Sequence, residues 1–317
     1  MDIAKLRKIA GFYGRFLVSF SAIGYRARAL AWPRLTADLG GQTWAVTGAT
    51  GGIGRAIADE ALRRGATLVP IARNPDKLAA LAASAPQRVF PVTADLSLVR
   101  ETRQAAAAVI AAGRRIDVLV NNVGVLLDDL TLTGEGFETS YATNLLNHFV
   151  LTEALLAADA FAPGAAIINM ASGGMYNAPL TLDYMGMKDP AKYVGVYAYA
   201  VHKRGQAELT RHWHAQHAAR GLHFYVMHPG WADTDGVKTS LPNFRRMLRT
   251  VLRTDAQGAD TAVWLGITRP TSAGPEAFWF DRAPRDAHAY ARTRVTRHTP
   301  EDLARFLAGE AATIPAA

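Results

Sequence analysis

No cysteine occurs anywhere in the 317 residues. That excludes disulfides, a cysteine nucleophile, and thiolate-bound zinc or iron–sulfur clusters. It fits a reducing compartment, and a cytoplasmic location is the expectation. Long apolar runs are scarce at the N-terminus. FLVSFSAIGY, between Arg15 and Arg26, is a run of ten uncharged residues, short of the roughly 18 that cross a bilayer. Arg26 and Arg28 directly after it argue against a cleaved secretory signal. Acidic residues are also scarce there. Residues 1–41 carry seven Lys and Arg against Asp2 and Asp38, a net +5, which leaves +3 of the formal +8 for the other 276 residues. The charge belongs to one arm, so a nucleic-acid footprint spread over a domain face is not expected.

The arm reads as an amphipathic helix. Ile3, Leu6, Ala10, Tyr13, Phe16, Leu17, Phe20 and Ile23 recur at spacings of three and four. Two readings stand. The arm packs on the main domain or on a second subunit, as in a homo-oligomer. Alternatively, residues 1–30 form a peripheral contact with an anionic membrane, at its inner face.

From about residue 42 short apolar runs alternate with helical ones. The runs at 42–48, 66–72, 88–94, 116–122, 165–172, 222–228 and 276–281 predict seven strands. Helical patterns lie between most of them, which implies a parallel sheet buried on both faces. The expectation is one doubly wound α/β domain, a parallel seven-stranded sheet over 42–317, preceded by the arm at 1–41.

The first strand runs into Thr47-Gly48-Ala49-Thr50-Gly51-Gly52-Ile53-Gly54. Glycine supplies the positive φ of a tight turn. It also lets backbone N–H groups at a helix N-terminus approach a pyrophosphate. No Gly-Lys-Ser/Thr follows, so this is not a P-loop. At the end of the second strand a carboxylate would bind a ribose 2′-hydroxyl. Ala72 and Arg73 stand there instead, which favours NADP(H) over NAD(H).

YVGVYAYAVHK, residues 193–203, holds three tyrosines and a lysine. On a helix, positions i and i+4 share a face. Tyr199 has Lys203 there, whereas Tyr197 has Val201 and Tyr193 has Tyr197. An ammonium on the same face would lower a phenol pKa of about 10 and suit Tyr199 to donate a proton to a carbonyl. Ser172 closes the fifth strand at the end where open α/β sheets bind ligands. Asn144 lies within a helical pattern, where asparagine is a poor former and needs a buried partner.

These residues, taken in order, resemble the short-chain dehydrogenase/reductase family. The matching stretches are TGATGGIG, Asp95, NNVG at 121–124, Asn144, Ser172, YAVHK and HPGWADT at 228–234. The wider context is similar to a subgroup that also has a basic N-terminal arm. The resemblance implies a Rossmann-type fold and an NADP(H)-dependent interconversion of a carbonyl and an alcohol; no metal site is expected. Tyr199 would be the acid/base. Lys203 would hold the nicotinamide ribose and depress the Tyr199 pKa. Ser172 would orient the substrate oxygen, and Asn144 would hold a relay water. Thr47, Gly48, Thr50, Gly51, Gly52, Ile53 and Gly54 would line the pyrophosphate, and Arg73 the 2′-phosphate. Asp95 and Leu96 would meet the adenine, Asn122 and Gly124 the adjoining ribose, and Pro229, Gly230 and Thr234 the nicotinamide.

Ser172 and Tyr199 stand 27 apart, which implies an insertion near 176–193 lying over the site. His212, His214 and His217 are read as a polar helix face, not a metal site. The stretch 231–254 is basic and amphipathic and is expected as a lid, with Arg245, Arg246, Arg249 and Arg253 steering an acidic substrate, touching a membrane surface or facing solvent. The substrate is expected to be a small, apolar, lipid-like carbonyl or alcohol. The alternatives are a non-catalytic dinucleotide-binding sensor or scaffold and, ranked last, a nucleotide-sugar epimerase or dehydratase.

Overall fold

The computed structural model describes residues 11, 14–234 and 242–315. Its strands are β1 (Thr43–Thr47), β2 (Thr67–Ala72), β3 (Val92–Thr93), β4 (Ile116–Asn121), β5 (Phe161–Met170), β6 (His223–Met227), β7 (Ala277–Phe280) and β8 (Ala283–Asp286). They form one sheet in the order β3-β2-β1-β4-β5-β6-β7-β8. All neighbours are parallel except β7 and β8.

Side chains alternate between the two faces, as strand geometry requires. Trp44, Val46, Val118, Val120 and Ile168 enter one core with the helices Gly52–Arg63 and Asp255–Thr268. Ala45, Leu119 and Ile167 enter the other, beneath the helices Val99–Ala111, Asn147–Ala157, Gly195–His217 and Pro300–Ala312. Both faces are covered, which is why the strands are continuously apolar.

Two strands differ from the expectation. The run at 88–94 pairs fully only at Val92–Thr93, with an isolated bridge between Leu68 and Val89. Leu68 and Ala72 both bond across this edge, to 88–90 and to Ala94. Pro70 lies between them and faces the same way. Proline has no N–H to donate across this edge, so the ladder is interrupted between Leu68 and Ala72. The eighth strand was not expected. β7 and β8 form a hairpin through Asp281 and Arg282, both at positive φ (51° and 56°). A two-residue turn of this kind normally uses Asn-Gly or Asp-Gly, so Asp-Arg gives no signal in the sequence.

The described part of the arm is helical over 14–20, breaks at Ser21, and resumes as the helix Ala22–Ala29. Ile3, Leu6, Ala10 and Tyr13 of the apolar stripe lie outside the described residues. The rest of the stripe divides. Phe16 and Phe20 turn inward, while Leu17 and Ile23 are exposed. No helix among the described residues is long and apolar enough to cross a membrane.

Candidate active site

The glycine turn behaves as its composition requires. Gly48 and Gly52 adopt positive φ, 68° and 55°. A Cβ on Gly54 would collide with the Gly48 carbonyl and the Asn122 amide, so helix and strand approach closely only with glycine there. Gly51 is open, with nothing within 4 Å of a Cβ placed on it. Thr47 and Asn122 tie the ends of β1 and β4 together. Asn122 N donates to Thr47 Oγ1 at 2.9 Å and its Nδ2 to the Thr47 carbonyl at 2.8 Å. Thr234 and Asp255 stand 3.8 and 3.9 Å from a Cβ placed on Gly52. Arg73 is exposed at the end of β2 and makes no ion pair among the described residues.

Asp95 and Leu96 follow β3. Asp95 closes its own turn by accepting from Ser97 N at 2.9 Å. Leu96 puts its side chain into the core, and its carbonyl accepts from Asn147 Nδ2 at 3.0 Å. Gly124 lies against Asn144 Oδ1 and Lys203 Nζ, 3.0 and 3.2 Å from a Cβ built there.

The helix Gly195–His217 carries Tyr197, Tyr199 and Lys203, and Tyr193 precedes it. Tyr193 Oη donates to buried Glu138 at 3.1 Å. Tyr197 packs edge-on against Tyr184. Tyr199 alone lies beside Lys203, whose Nζ is 5.6 Å from the ring centre. The Tyr199 ring and Ser172 Oγ both come within 3.6 Å of a Cβ placed on Gly174. Ser172, Tyr199 and Lys203 thus converge at the C-terminal end of β5.

Lys203 is buried. Its Nζ donates to the Met170 carbonyl at 2.8 Å and to Gln206 Oε1 at 3.2 Å. Burial without a carboxylate pulls its pKa down to about 7. The phenol of Tyr199 is raised by burial, with the Ser172 hydroxyl opposing. The expected direction was a lowering by Lys203; burial sets the direction instead, opposed by the Ser172 hydroxyl.

Asn144 sits in a π-helical segment, Ala142–Leu146, a local widening common at functional sites. Its side-chain amide donates to the Val125 carbonyl and accepts from Val125 N, both at 2.7 Å. Its main-chain carbonyl accepts from Gln206 Nε2 at 2.6 Å. Gln206 Nε2 also lies 2.8 Å from His148 Nδ1, and His148 Nε2 lies 2.9 Å from the Val123 carbonyl. A carbonyl only accepts, which puts the imidazole proton on Nε2. Burial and the Lys203 charge lower the His148 pKa to about 3, so the ring is neutral.

Pro229 and Gly230 follow β6, with Gly230 at φ 76° and its N–H donating to His228 Nδ1 at 3.0 Å. Arg253 overturns the expectation of a steering or solvent-facing residue. It is buried, pairs bidentately with Asp281 at 2.6 and 2.9 Å, and donates to the carbonyls of Ser19, Phe20 and Pro229. Arg245 pairs with Asp233 at 2.6 Å. Of the expected lid, 235–241 lies outside the described residues, and Pro242–Leu248 is helical.

Residues 42–243 match the family model for short chain dehydrogenases. The chain belongs to the short-chain dehydrogenase/reductase family. The bovine "Dehydrogenase/reductase SDR family member 12" is 33% identical over 311 residues, 95% of this chain and 97% of that protein. Bovine retinol dehydrogenase 12 is 30% identical, over 73% of this chain and 74% of its own length. Among solved structures, a blue fluorescent protein from a metagenomic library in complex with NADPH superposes with a TM-score of 0.59 at 25% identity, covering 72% and 91% of the two chains.

This short-chain dehydrogenase/reductase is an NAD(P)-dependent oxidoreductase, and its doubly wound sheet is the Rossmann-like one of the family. Several residues at its site carry no sequence signal that singles them out. Gln206 and His148 are visible only as polar residues within helical patterns. Asp255 reads as an ordinary first-turn acid. Phe16 and Phe20 read as members of an arm stripe.

Proposed function

We propose that the protein interconverts a carbonyl and an alcohol with NADP(H), using Tyr199 as the general acid and base. The observation that carries this is the convergence of Ser172 Oγ, the Tyr199 ring and Lys203 Nζ at the end of β5. Ser172 and Tyr199 hydrogen-bond the substrate oxygen. Tyr199 delivers the proton in reduction and takes it in oxidation. Lys203, held by Met170 and Gln206, supports the phenolate. Asn144 fixes the loop at Val125; one acceptor position of its carbonyl, where a relay water would bind, is taken by Gln206. When bound, the nicotinamide supplies or accepts hydride.

The nucleotide reading is supported by the two positive-φ glycines and the tight Gly54 contact. Gly48, Gly51, Gly52 and Ile53 would hold the pyrophosphate. Exposed Arg73 would take a 2′-phosphate. Tyr199→Phe is expected to lower kcat by about 10²–10⁴ while the NADPH dissociation constant stays nearly the same, read from NADPH absorbance and nucleotide titration. Unaltered turnover in this variant would sink the assignment. Nucleotide binding with no turnover of any carbonyl would favour the sensor instead. Arg73→Asp should move preference toward NAD(H); equal use of both nucleotides by the wild type would end the NADP argument.

We also propose that the N-terminal arm makes a peripheral contact with an anionic membrane surface, on its cytoplasmic side. Val18, Ile23 and Leu30 are 61%, 51% and 90% exposed, with Arg15, Arg26 and Arg34 exposed nearby. Apolar side chains flanked by cations suit a lipid headgroup layer.

A further inference from the structure

The arm reaches the reacting end of the sheet. Phe20 is 3% exposed. A Cβ on Gly173, the residue after Ser172, would lie 2.6 Å from its ring. The Phe20 carbonyl accepts from Trp231 N and from Arg253 Nε, both at 2.9 Å. A Cβ on Gly230 would lie 2.7 Å from that same oxygen. The arm is therefore threaded between the loops that follow β5 and β6, and both loops have glycine where a side chain would evict it.

Rings from four segments meet there. Phe16 stacks on Phe20 at 4.4 Å and on Tyr176 at 5.6 Å. Trp231 meets Phe20 edge-on at 5.7 Å, and Phe244 meets Trp231 at 5.3 Å. Tyr176 belongs to the expected insertion and Phe244 to the expected lid. The arm is fastened rather than laid on: Asp281 binds both Arg253 and Arg28, and Arg28 donates to the Ser19 carbonyl at 2.5 Å.

We propose that the N-terminal arm is a wall of the substrate pocket, and that half-buried Phe16, seated on the buried Phe20 ring, selects carbonyl or alcohol substrates with an extended apolar body. This rests on the oxidoreductase reading of the same site and deepens it by naming the substrate class. Small polar substrates gain little from an aromatic wall, whereas each apolar group placed against one gains the transfer free energy of its buried surface.

The test uses the full chain, with Phe16→Ala and Phe20→Leu. Phe20 is also a packing residue, so leucine keeps its bulk, and thermal unfolding confirms that each variant folds. The kcat/KM ratio of decanal to propanal with NADPH is expected to fall about tenfold in Phe16→Ala, the scale of lost apolar contact in a pocket, mainly through KM. An unchanged ratio in both variants overturns the proposal. Calorimetric binding of 1-decanol to the NADPH-saturated protein, a pair that cannot exchange hydride, gives a readout independent of turnover. Weaker binding in Phe16→Ala supports the wall even if no carbonyl is turned over, in which case only the reaction assignment fails. Equal affinity in wild type and both variants overturns the wall.

Discussion

Lys203 is a buried base whose two hydrogen-bond acceptors, the Met170 carbonyl and the Gln206 amide, are neutral. With its pKa near 7 in the folded protein and about 10.4 in an unfolded chain, the unfolded state binds the proton more tightly. Stability therefore rises with pH between these values. From pH 7 to 9 the gain is about 2 kcal/mol by linkage. Lys203→Met should remove this increment, measured as the difference in denaturant unfolding between the two pH values. An identical pH dependence in both proteins would contradict the burial account. The tyrosine beside it was legible because i, i+4 adjacency on a helix is local. The direction of its pKa was not, because desolvation depends on what the rest of the chain packs over the ring.

At the scale of elements, the β7–β8 hairpin shows how a turn without glycine is held. Asp281 and Arg282 both occupy the left-handed region, which costs a non-glycine residue of order 1 kcal/mol or more. Each is anchored by ion pairs, Asp281 to Arg253 and Arg28, and Arg282 to Asp260. Asp281→Asn keeps the shape and leaves buried Arg253 without its carboxylate. The expected loss is about 3–5 kcal/mol by chemical unfolding, with faster proteolysis within the arm. A loss no larger than that of an exposed pair would show that the cluster does not fasten the arm. The strands β1, β2 and β4 were readable because burial on both faces leaves continuous apolar runs. β8, with the sequence Ala-Pro-Arg-Asp, lies at an exposed edge and has no such run.

Across the whole molecule the arm has two faces, one on the site and one outward. The membrane reading predicts that full-length protein co-sediments with vesicles containing phosphatidylglycerol and less with phosphatidylcholine alone. Added salt should weaken this by screening. Val18→Asp with Ile23→Asp should abolish it, since each charge must leave the headgroup region. If the wild type stays in the supernatant at low salt, the membrane reading falls.

The sequence by itself determined the parallel α/β layering, the glycine turn and the pairing of Tyr199 with Lys203. All three follow from patterns within one or two turns of chain: buried runs, positive-φ residues and helical periodicity. Tertiary structure alone decided that Phe20 lies against Gly173, that Gln206 joins Lys203 to Asn144, and that Arg253 is buried against Asp281. Those contacts join residues far apart in the chain, and no local preference encodes which distant partner will satisfy a buried charge or fill the space beside a glycine.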